Sequence, residues 1–113
     1  HNIDGAEQIL NFFKKKNIRI WLLIGMLNNK DIYNYLRKIK PILEGVVSVK
    51  IPGEKNSFTT FEISKICEKL NLNNFQKNTI TTANNFLLKK IKTKNLLVSG
   101  SLYLVGKIRN KYL

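Results

Sequence analysis

Two hydrophobic patterns alternate along the chain. In one, apolar residues recur three and four positions apart, as they do on the buried face of an amphipathic helix. In the other, a short run of mostly apolar and β-branched residues is typical of a strand that is covered on both faces. This alternation from end to end predicts an α/β domain with a largely parallel sheet and right-handed crossovers.

Four segments have the helical spacing and a polar residue that can begin a helix. The residues predicted to begin them are Asp4, then Asp31, then the capping-box segment Thr59-Thr60-Phe61-Glu62, and last Thr81 or Thr82. Their predicted inward faces are, in chain order, Ala6, Ile9, Leu10 and Phe13; Ile32, Tyr35, Leu36 and Ile39; Ile63, Ile66, Cys67 and Leu70; and Ala83, Phe86, Leu87 and Ile91. Pro41 interrupts the second helix or begins a short further turn.

The strand patterns lie between these helices. They cover Ile18 to Ile24, Val46 to Ile51 and Leu96 to Val98, and a further short strand is expected within Phe75 to Ile80. The chain opens on a helix where a repeating strand–helix unit would begin with a strand, so we expect a first strand upstream of His1. Since no initiator Met is present, we expect the sequence to begin inside a longer protein.

The charge of the chain raises a second hypothesis. Lys and Arg number 20 and Asp and Glu 7, so the net charge of +13 allows a basic α/β module that binds nucleic acid or another acidic partner. However, much of the lysine lies near helix C-termini, in Lys14 to Lys16 and Lys89 to Lys94, where the helix dipole favours cations. Arg, which base recognition favours, is scarce beside Lys. We therefore expect no specific nucleic-acid binding.

The remaining composition excludes several classes of protein. The 113 residues suffice for one domain with one hydrophobic core. No apolar run has the length of a membrane span, and the first residues lack the features of a signal peptide. The lone Cys67 fits a reducing cytoplasm. With one His and one Cys we expect no metal site, and no Walker phosphate loop is present.

The candidate chemistry lies where strands end, because parallel sheets bind ligands beyond the carboxyl ends of their strands. Three loops leave these ends: residues 25–30, 52–58 and 99–101. Lys30 ends the first loop, and Ser101 lies where a final helix is predicted to begin. A lysine and a helix N-terminus in one crevice suit a carboxylate or a phosphate. Ser101 as a simple helix cap is the alternative interpretation.

Three segments resemble one family. His1-Asn2 match the last two residues of an Asp-Gly-Ala-His-Asn motif, and Gly25 to Asp31 match a glycine-containing loop with Lys-Asp. Gly100 to Gly106 read Gly-Ser-Leu-Tyr-Leu-Val-Gly, the family's last motif, residue for residue. The chain thus resembles the C-terminal domain of bifunctional folylpolyglutamate synthase/dihydrofolate synthase, in the Mur ligase superfamily. It departs from the family at Asn56-Ser57-Phe58, where an arginine is often found.

The resemblance implies an ATP-dependent ligase that adds L-glutamate to dihydropteroate, to folates or to both through an acyl phosphate. It implies a three-layer αβα domain with a Rossmann-like sheet, in a monomeric cytoplasmic enzyme of folate biosynthesis and one-carbon metabolism. ATP and Mg²⁺ would be bound mainly by a larger N-terminal ATPase domain. His1, Lys30 and Ser101 would bind the incoming glutamate. We expect residues 1–113 to form the single C-terminal domain of that enzyme and to be inactive as an isolated fragment.

Overall fold

Helices and strands alternate in the computed structural model, which describes residues 3–90 and 96–99, with side chains for residues 5–90. In chain order the elements are α1 (Ile3–Lys15), β1 (Ile20–Ile24), α2 (Ile32–Ile39), a 3₁₀ turn (Lys40–Ile42), β2 (Leu43–Ser48), α3 (Thr60–Lys69), β3 (Asn74–Gln76), α4 (Ile80–Lys90) and β4 (Leu96–Ser99). Among the described residues, no helix combines the length and the apolar character needed to cross a membrane.

The four strands form one parallel sheet in the order β3-β2-β1-β4. The register aligns their last residues, because Ile24 of β1 lies opposite Ser48 of β2 on one side and Ser99 of β4 on the other. Gln76 of β3 lies opposite Ser48 in turn. The carboxyl ends of the four strands therefore meet at one edge of the sheet.

Helices cover both faces of the sheet. Leu22 and Ile24 of β1 belong to a core cluster with buried residues of α1, α2 and α3. Leu23, between them, packs on the other face with Ala83 and Leu87 of α4. The connection from β3 to β4 runs back past β2 and β1, and a right-handed crossover in that direction places its helix on the opposite face. The predicted three-layer αβα arrangement is therefore confirmed.

A close contact between β1 and β2 leaves no room for a side chain at position 45. A Cβ on Gly45 would lie 2.5 Å from the six-membered ring of Trp21. The same ring continues into an aromatic cluster with Phe75 and Phe86, at centroid distances of 6.0 and 6.2 Å. Gly45 is thus needed for its small size, because it lets the indole ring lie flat against the neighbouring strand.

The predicted helix faces are confirmed over the described residues. Each predicted inward residue from Ala6 to Leu87 is buried or half-buried, whereas Ile91 lies outside the residues whose side chains are described. Asp31 and the Thr59–Glu62 capping box begin α2 and α3 as predicted. Pro41 lies in the 3₁₀ turn that follows α2.

Two predicted helix starts are wrong. The helix α1 begins one residue before Asp4, so Asp4 lies inside the first turn rather than ahead of it. The helix α4 begins at Ile80, and the Thr79 hydroxyl accepts the N–H of Thr82 at 3.0 Å, so that neither Thr81 nor Thr82 is the cap. Several threonines within four positions are equivalent cap candidates in a sequence, and here the burial of Ile80 sets the register.

Strand boundaries shift where they depend on tertiary partners. The strand β2 begins before the predicted Val46 and stops short of Ile51, whose N–H donates to the Ser57 hydroxyl at 3.2 Å instead of to a neighbouring strand. The short strand expected within Phe75 to Ile80 is β3, which begins one residue earlier, at Asn74, and ends at Gln76, before α4 begins at Ile80. The strands β1 and β4 match their predicted runs to within two residues.

Candidate substrate-binding edge

The loops that follow β1 and β2, residues 25–31 and 49–59, are tied together at the carboxyl edge of the sheet. An isolated antiparallel bridge joins Leu27 to Ser57. Next to it, the N–H of Asn28 donates to the carbonyl oxygen of Asn56 at 2.7 Å. We call these two segments the paired loops. Because the two loops are hydrogen-bonded to each other, they form one connected segment of backbone that carries the side chains of both.

Lys30 lies near the end of the first paired loop, two residues before α2. Its backbone is held in a turn, since its N–H donates to the carbonyl of Leu27 and its own carbonyl accepts the N–H of Ile32, both at 3.1 Å. The residue is exposed, and no ion pair within residues 3–90 and 96–99 involves it. Its ammonium group is therefore available for a carboxylate or a phosphate.

Asp31, the next residue, is committed to the start of α2. Its two carboxylate oxygens accept the backbone N–H of Asn34 at 3.1 Å and the side-chain amide of Asn34 at 2.6 Å. These hydrogen bonds, the side-chain one foremost, lower the pKa of Asp31 below its ordinary value. The carboxylate next to Lys30 thus serves the helix and leaves the lysine charge unneutralised.

Asn56-Ser57-Phe58 hold the second paired loop in place. The N–H of Phe58 donates to the carbonyl of Met26 at 2.9 Å, and the Phe58 side chain packs against the core. The buried Ser57 hydroxyl accepts the N–H of Ile51 at 3.2 Å and donates to the Phe58 carbonyl at 3.1 Å. This segment therefore acts through backbone and buried groups and adds no cation to the edge.

A cavity of about 500 Å³ lies beside the second paired loop, between the end of β2 and the start of α4. Its lining includes Lys50, Glu54 and Lys55 from the loop and Asn78 and Thr79 from the segment that precedes α4. Sequence reasoning missed these two lysines, because the cavity exists only once α4 packs beside β2. The available signal was a lysine directly after a strand-like run.

Of the three residues predicted to bind glutamate, Lys30 lies at the edge that the sequence indicates. His1 and Ser101 lie outside the described residues, as do the strand expected upstream of His1 and the predicted final helix. Ser99, two residues before Ser101, is the last residue of β4 and lies opposite Ile24 of β1. The strands that precede Lys30 and Ser101 are therefore adjacent and parallel.

Within residues 3–90 and 96–99, no group of three or more His, Cys, Asp or Glu residues is arranged to hold a metal ion. Cys67 is a free thiol in the core, and burial raises its pKa to about 12. The Cys67 thiol is therefore protonated at neutral pH and is not a reactive nucleophile.

No protein-family model matches the chain, and no curated protein sequence is significantly similar to it. Solved structures, however, match it over nearly its whole length. The folylpolyglutamate synthase of Thermotoga maritima is 26% identical with a TM-score of 0.77, and the match covers 97% of this chain and 25% of that one. E. coli FolC in complex with DHPP and ADP is 23% identical with a TM-score of 0.78, covering 99% of this chain and 27% of that one.

The Helicobacter pylori folylpolyglutamate synthetase also matches this chain, at 21% identity and a TM-score of 0.78, and the match covers 99% of this chain and 27% of that one. The chain has the fold of one part of the folylpolyglutamate synthases. It spans only about a quarter of the length of these synthases, 25% to 27%. The likeness therefore confirms the α/β architecture that the sequence resemblance implies, for one part of a longer relative.

Proposed function

We propose that residues 1–113 are the C-terminal, glutamate-binding domain of an ATP-dependent amide ligase. The full enzyme would join L-glutamate to dihydropteroate, to folates or to both through an acyl phosphate. The fold shared with folylpolyglutamate synthases over 97% to 99% of the chain supports this proposal. Because the chain spans about 27% of E. coli FolC, which was solved with ADP and DHPP, we assign ATP and Mg²⁺ mainly to an N-terminal domain of the same polypeptide.

One observation carries the proposal, the parallel pairing of β1 with β4, in which Ile24 lies opposite Ser99. The chain moves outward from β1 to β3 and then returns to the other side of β1 at β4. The boundary between β1 and β4 is thus the point where the strand order reverses, and open α/β sheets bind ligands at such points. Lys30 follows one of these two strands, and Ser101 follows the other.

The chemistry of glutamate suits these residue types. Glutamate brings two carboxylates and has to present a neutral amine to the activated acceptor. Lys30 would pair with one carboxylate, while the Ser101 hydroxyl and the free N–H groups of a helix start would hydrogen-bond a carboxylate. His1 would complete the same site. ATP supplies the phosphoryl group that activates the acceptor carboxylate.

The test is ADP formation by the polypeptide in which this sequence follows an ATP-binding domain. We expect that polypeptide to form ADP only when glutamate and either dihydropteroate or a folate are both present. Residues 1–113 alone should form none, because they contain no Walker phosphate loop. Glutamate-independent ADP formation by the long polypeptide, or full turnover by residues 1–113 alone, would contradict the proposal.

A further inference from the structure

Two lysines that the glutamate proposal does not use share one cavity at the same edge of the sheet. Lys50 and Lys55 both line the cavity of about 500 Å³ beside the second paired loop. Both residues are exposed, and no ion pair within residues 3–90 and 96–99 involves either of them. The cavity is therefore lined by two lysines that have no described counter-ion.

The rest of the lining leaves this positive charge in excess. Glu54 is the one acidic residue among those that line the cavity, and its carboxylate accepts the N–H of Asn56 at 3.5 Å. Ile51, Pro52 and Ile80 contribute apolar surface. A ligand that fits this lining has anionic groups separated by short apolar stretches.

The cavity is continuous in structure with the loop that carries Lys30. Asn28 and Asn56 are joined by a hydrogen bond of 2.7 Å, Lys30 lies two residues after Asn28, and Lys55 directly precedes Asn56. Lys30, Lys50 and Lys55 are therefore carried on two loops that are hydrogen-bonded to each other at one edge of the sheet.

We propose that this cavity is a second carboxylate site, which binds the oligoglutamyl tail of an acceptor folate while Lys30 holds the incoming glutamate. The inference rests on the proposed function, and it adds to that function a location in this chain for the tail of the acceptor. Whichever carboxyl group forms the amide bond, each internal glutamate keeps one free carboxylate and two methylene groups. The free carboxylates match the two lysines of the lining, Lys50 and Lys55, and the methylene groups match its apolar residues, Ile51, Pro52 and Ile80.

The test compares acceptors of different tail length on the full-length ligase. The double variant Lys50→Ala/Lys55→Ala removes both cations, and Lys15→Ala/Lys69→Ala removes the same charge from exposed positions in the last turns of α1 and α3. We expect the first pair to raise the Kd for a folate with four glutamates about tenfold and to leave the Kd for a folate with one glutamate within twofold. The control pair should change neither. Isothermal titration calorimetry measures both constants.

Four results would overturn the inference. The first three are an unchanged Kd for the four-glutamate folate, an equal loss for both folates, and an equal loss in the control pair. A fourth is competition by inorganic phosphate that matches the tail in affinity and disappears in Lys50→Ala/Lys55→Ala, because the cavity would then be a phosphate site. Wild-type enzyme without glutamate-dependent ADP formation would contradict the proposed function itself, whereas active enzyme with any of these four results contradicts this inference alone.

Discussion

At the carboxyl edge of the sheet, the acidic residues hydrogen-bond to the backbone or side chains of the fold, whereas the lysines next to them in sequence are exposed to solvent. Both carboxylate oxygens of Asp31 accept hydrogen bonds from Asn34, and the carboxylate of Glu54 accepts the N–H of a loop amide. Lys30 and Lys55, the sequence neighbours of these acids, have no described ion pair. Because local amides satisfy the acidic groups, the positive charge of this edge stays available for an anionic substrate.

The first prediction concerns Lys30 and Ser101 in the full-length ligase. Loss of a hydrogen bond to a charged group costs about 1.5–3 kcal/mol, which corresponds to roughly ten- to a hundredfold in binding. We expect Ser101→Ala to raise the KM for glutamate by about that factor, and Lys30→Ala to raise it at least as much, with the KM for ATP nearly unchanged. Steady-state kinetics measure both constants. Lys40→Ala is the matched control, because Lys40 is exposed in the turn that precedes β2.

The alternative role of Ser101 as a helix cap gives a different result. Loss of a cap lowers the free energy of unfolding by about 0.5–2 kcal/mol and leaves the KM for glutamate unchanged. A lowered melting temperature with normal glutamate kinetics would therefore return Ser101 to a structural role. The same outcome for Lys30→Ala would remove the lysine from the substrate site.

A second prediction concerns Gly45. In Gly45→Ala the new methyl group would lie within 3 Å of three atoms of the Trp21 ring, at 2.5, 2.7 and 2.9 Å. The indole would have to shift, and overpacking of this kind costs about 1–3 kcal/mol in the free energy of unfolding. Urea denaturation measures the loss. In a Trp21→Leu background the same substitution should cost much less, and an equal cost in both backgrounds would show that the ring is not the cause.

At the scale of helices and strands, features that depend on residues nearby in sequence were predictable, whereas features that depend on tertiary contacts were less so. The capping box of α3 and the apolar stripe of α2 were readable because each depends on residues within a few positions. The end of β2 was not, because it depends on a hydrogen bond from Ile51 to the Ser57 hydroxyl in a loop. Val49 and Ile51 follow the same apolar pattern, yet the N–H of Val49 donates to Ile24 of β1 and the N–H of Ile51 donates to a loop hydroxyl.

The candidate site divides in the same way. The position of Lys30 near the carboxyl edge follows from the order of strand, loop and helix, which the sequence shows directly. The grouping of Lys50 with Lys55 could not be predicted, since their cavity needs the segment before α4 to lie beside the second paired loop. A residue whose position follows from the order of strands and helices can be placed from the sequence. Residues that come together only when distant segments pack against each other cannot.

A third prediction concerns the start of α3. The Glu62 carboxylate accepts the N–H of Thr59 at 2.9 Å, and the hydrogen bonds with Thr59, the backbone one foremost, hold the pKa of Glu62 below its ordinary value of 4.5. A group whose pKa is lower in the folded state stabilises the fold above its unfolded pKa, and this contribution is lost as the pH falls through the folded pKa. Glu62→Gln keeps the side-chain acceptor but not the charge.

We therefore expect wild-type protein to be more stable than Glu62→Gln at neutral pH, and the difference to shrink as the pH falls below 4.5. Urea denaturation at a series of pH values measures it. The control is Glu68→Gln, which removes a charge from the C-terminal part of the same helix, where the dipole disfavours an anion. A difference for Glu62→Gln that is the same at every pH would show that the carboxylate charge does not contribute.

For the molecule as a whole, the described surface shows which exposed charges and aromatic rings have a partner. Among residues 3–90 and 96–99 the ion pairs are Arg19 with Glu44 at 3.7 Å, Lys38 with Glu7 at 3.2 Å, and Lys65 with Glu68 at 3.5 Å, all at exposed or half-buried surface positions where such pairs stabilise little. Phe12 and Phe61 are exposed, but Lys16 and Lys65 lie over their rings at 5.0 and 5.2 Å. Each of these two rings therefore has a lysine over one of its faces.

The last prediction tests whether the net charge of +13 reflects a nucleic-acid function. Scattered lysines contact phosphates and release counter-ions, so the logarithm of the binding constant falls with the logarithm of salt concentration, by about 0.9 for each phosphate contact. We expect DNA binding by the chain to be weak, equal for two duplexes of the same length and different sequence, and lost between about 50 and 200 mM salt. Fluorescence anisotropy of labelled duplexes at rising salt measures all three properties. Base recognition adds contacts that salt does not weaken in this way, so tight binding at physiological salt with a preference for one duplex would favour the basic-module hypothesis over the ligase domain.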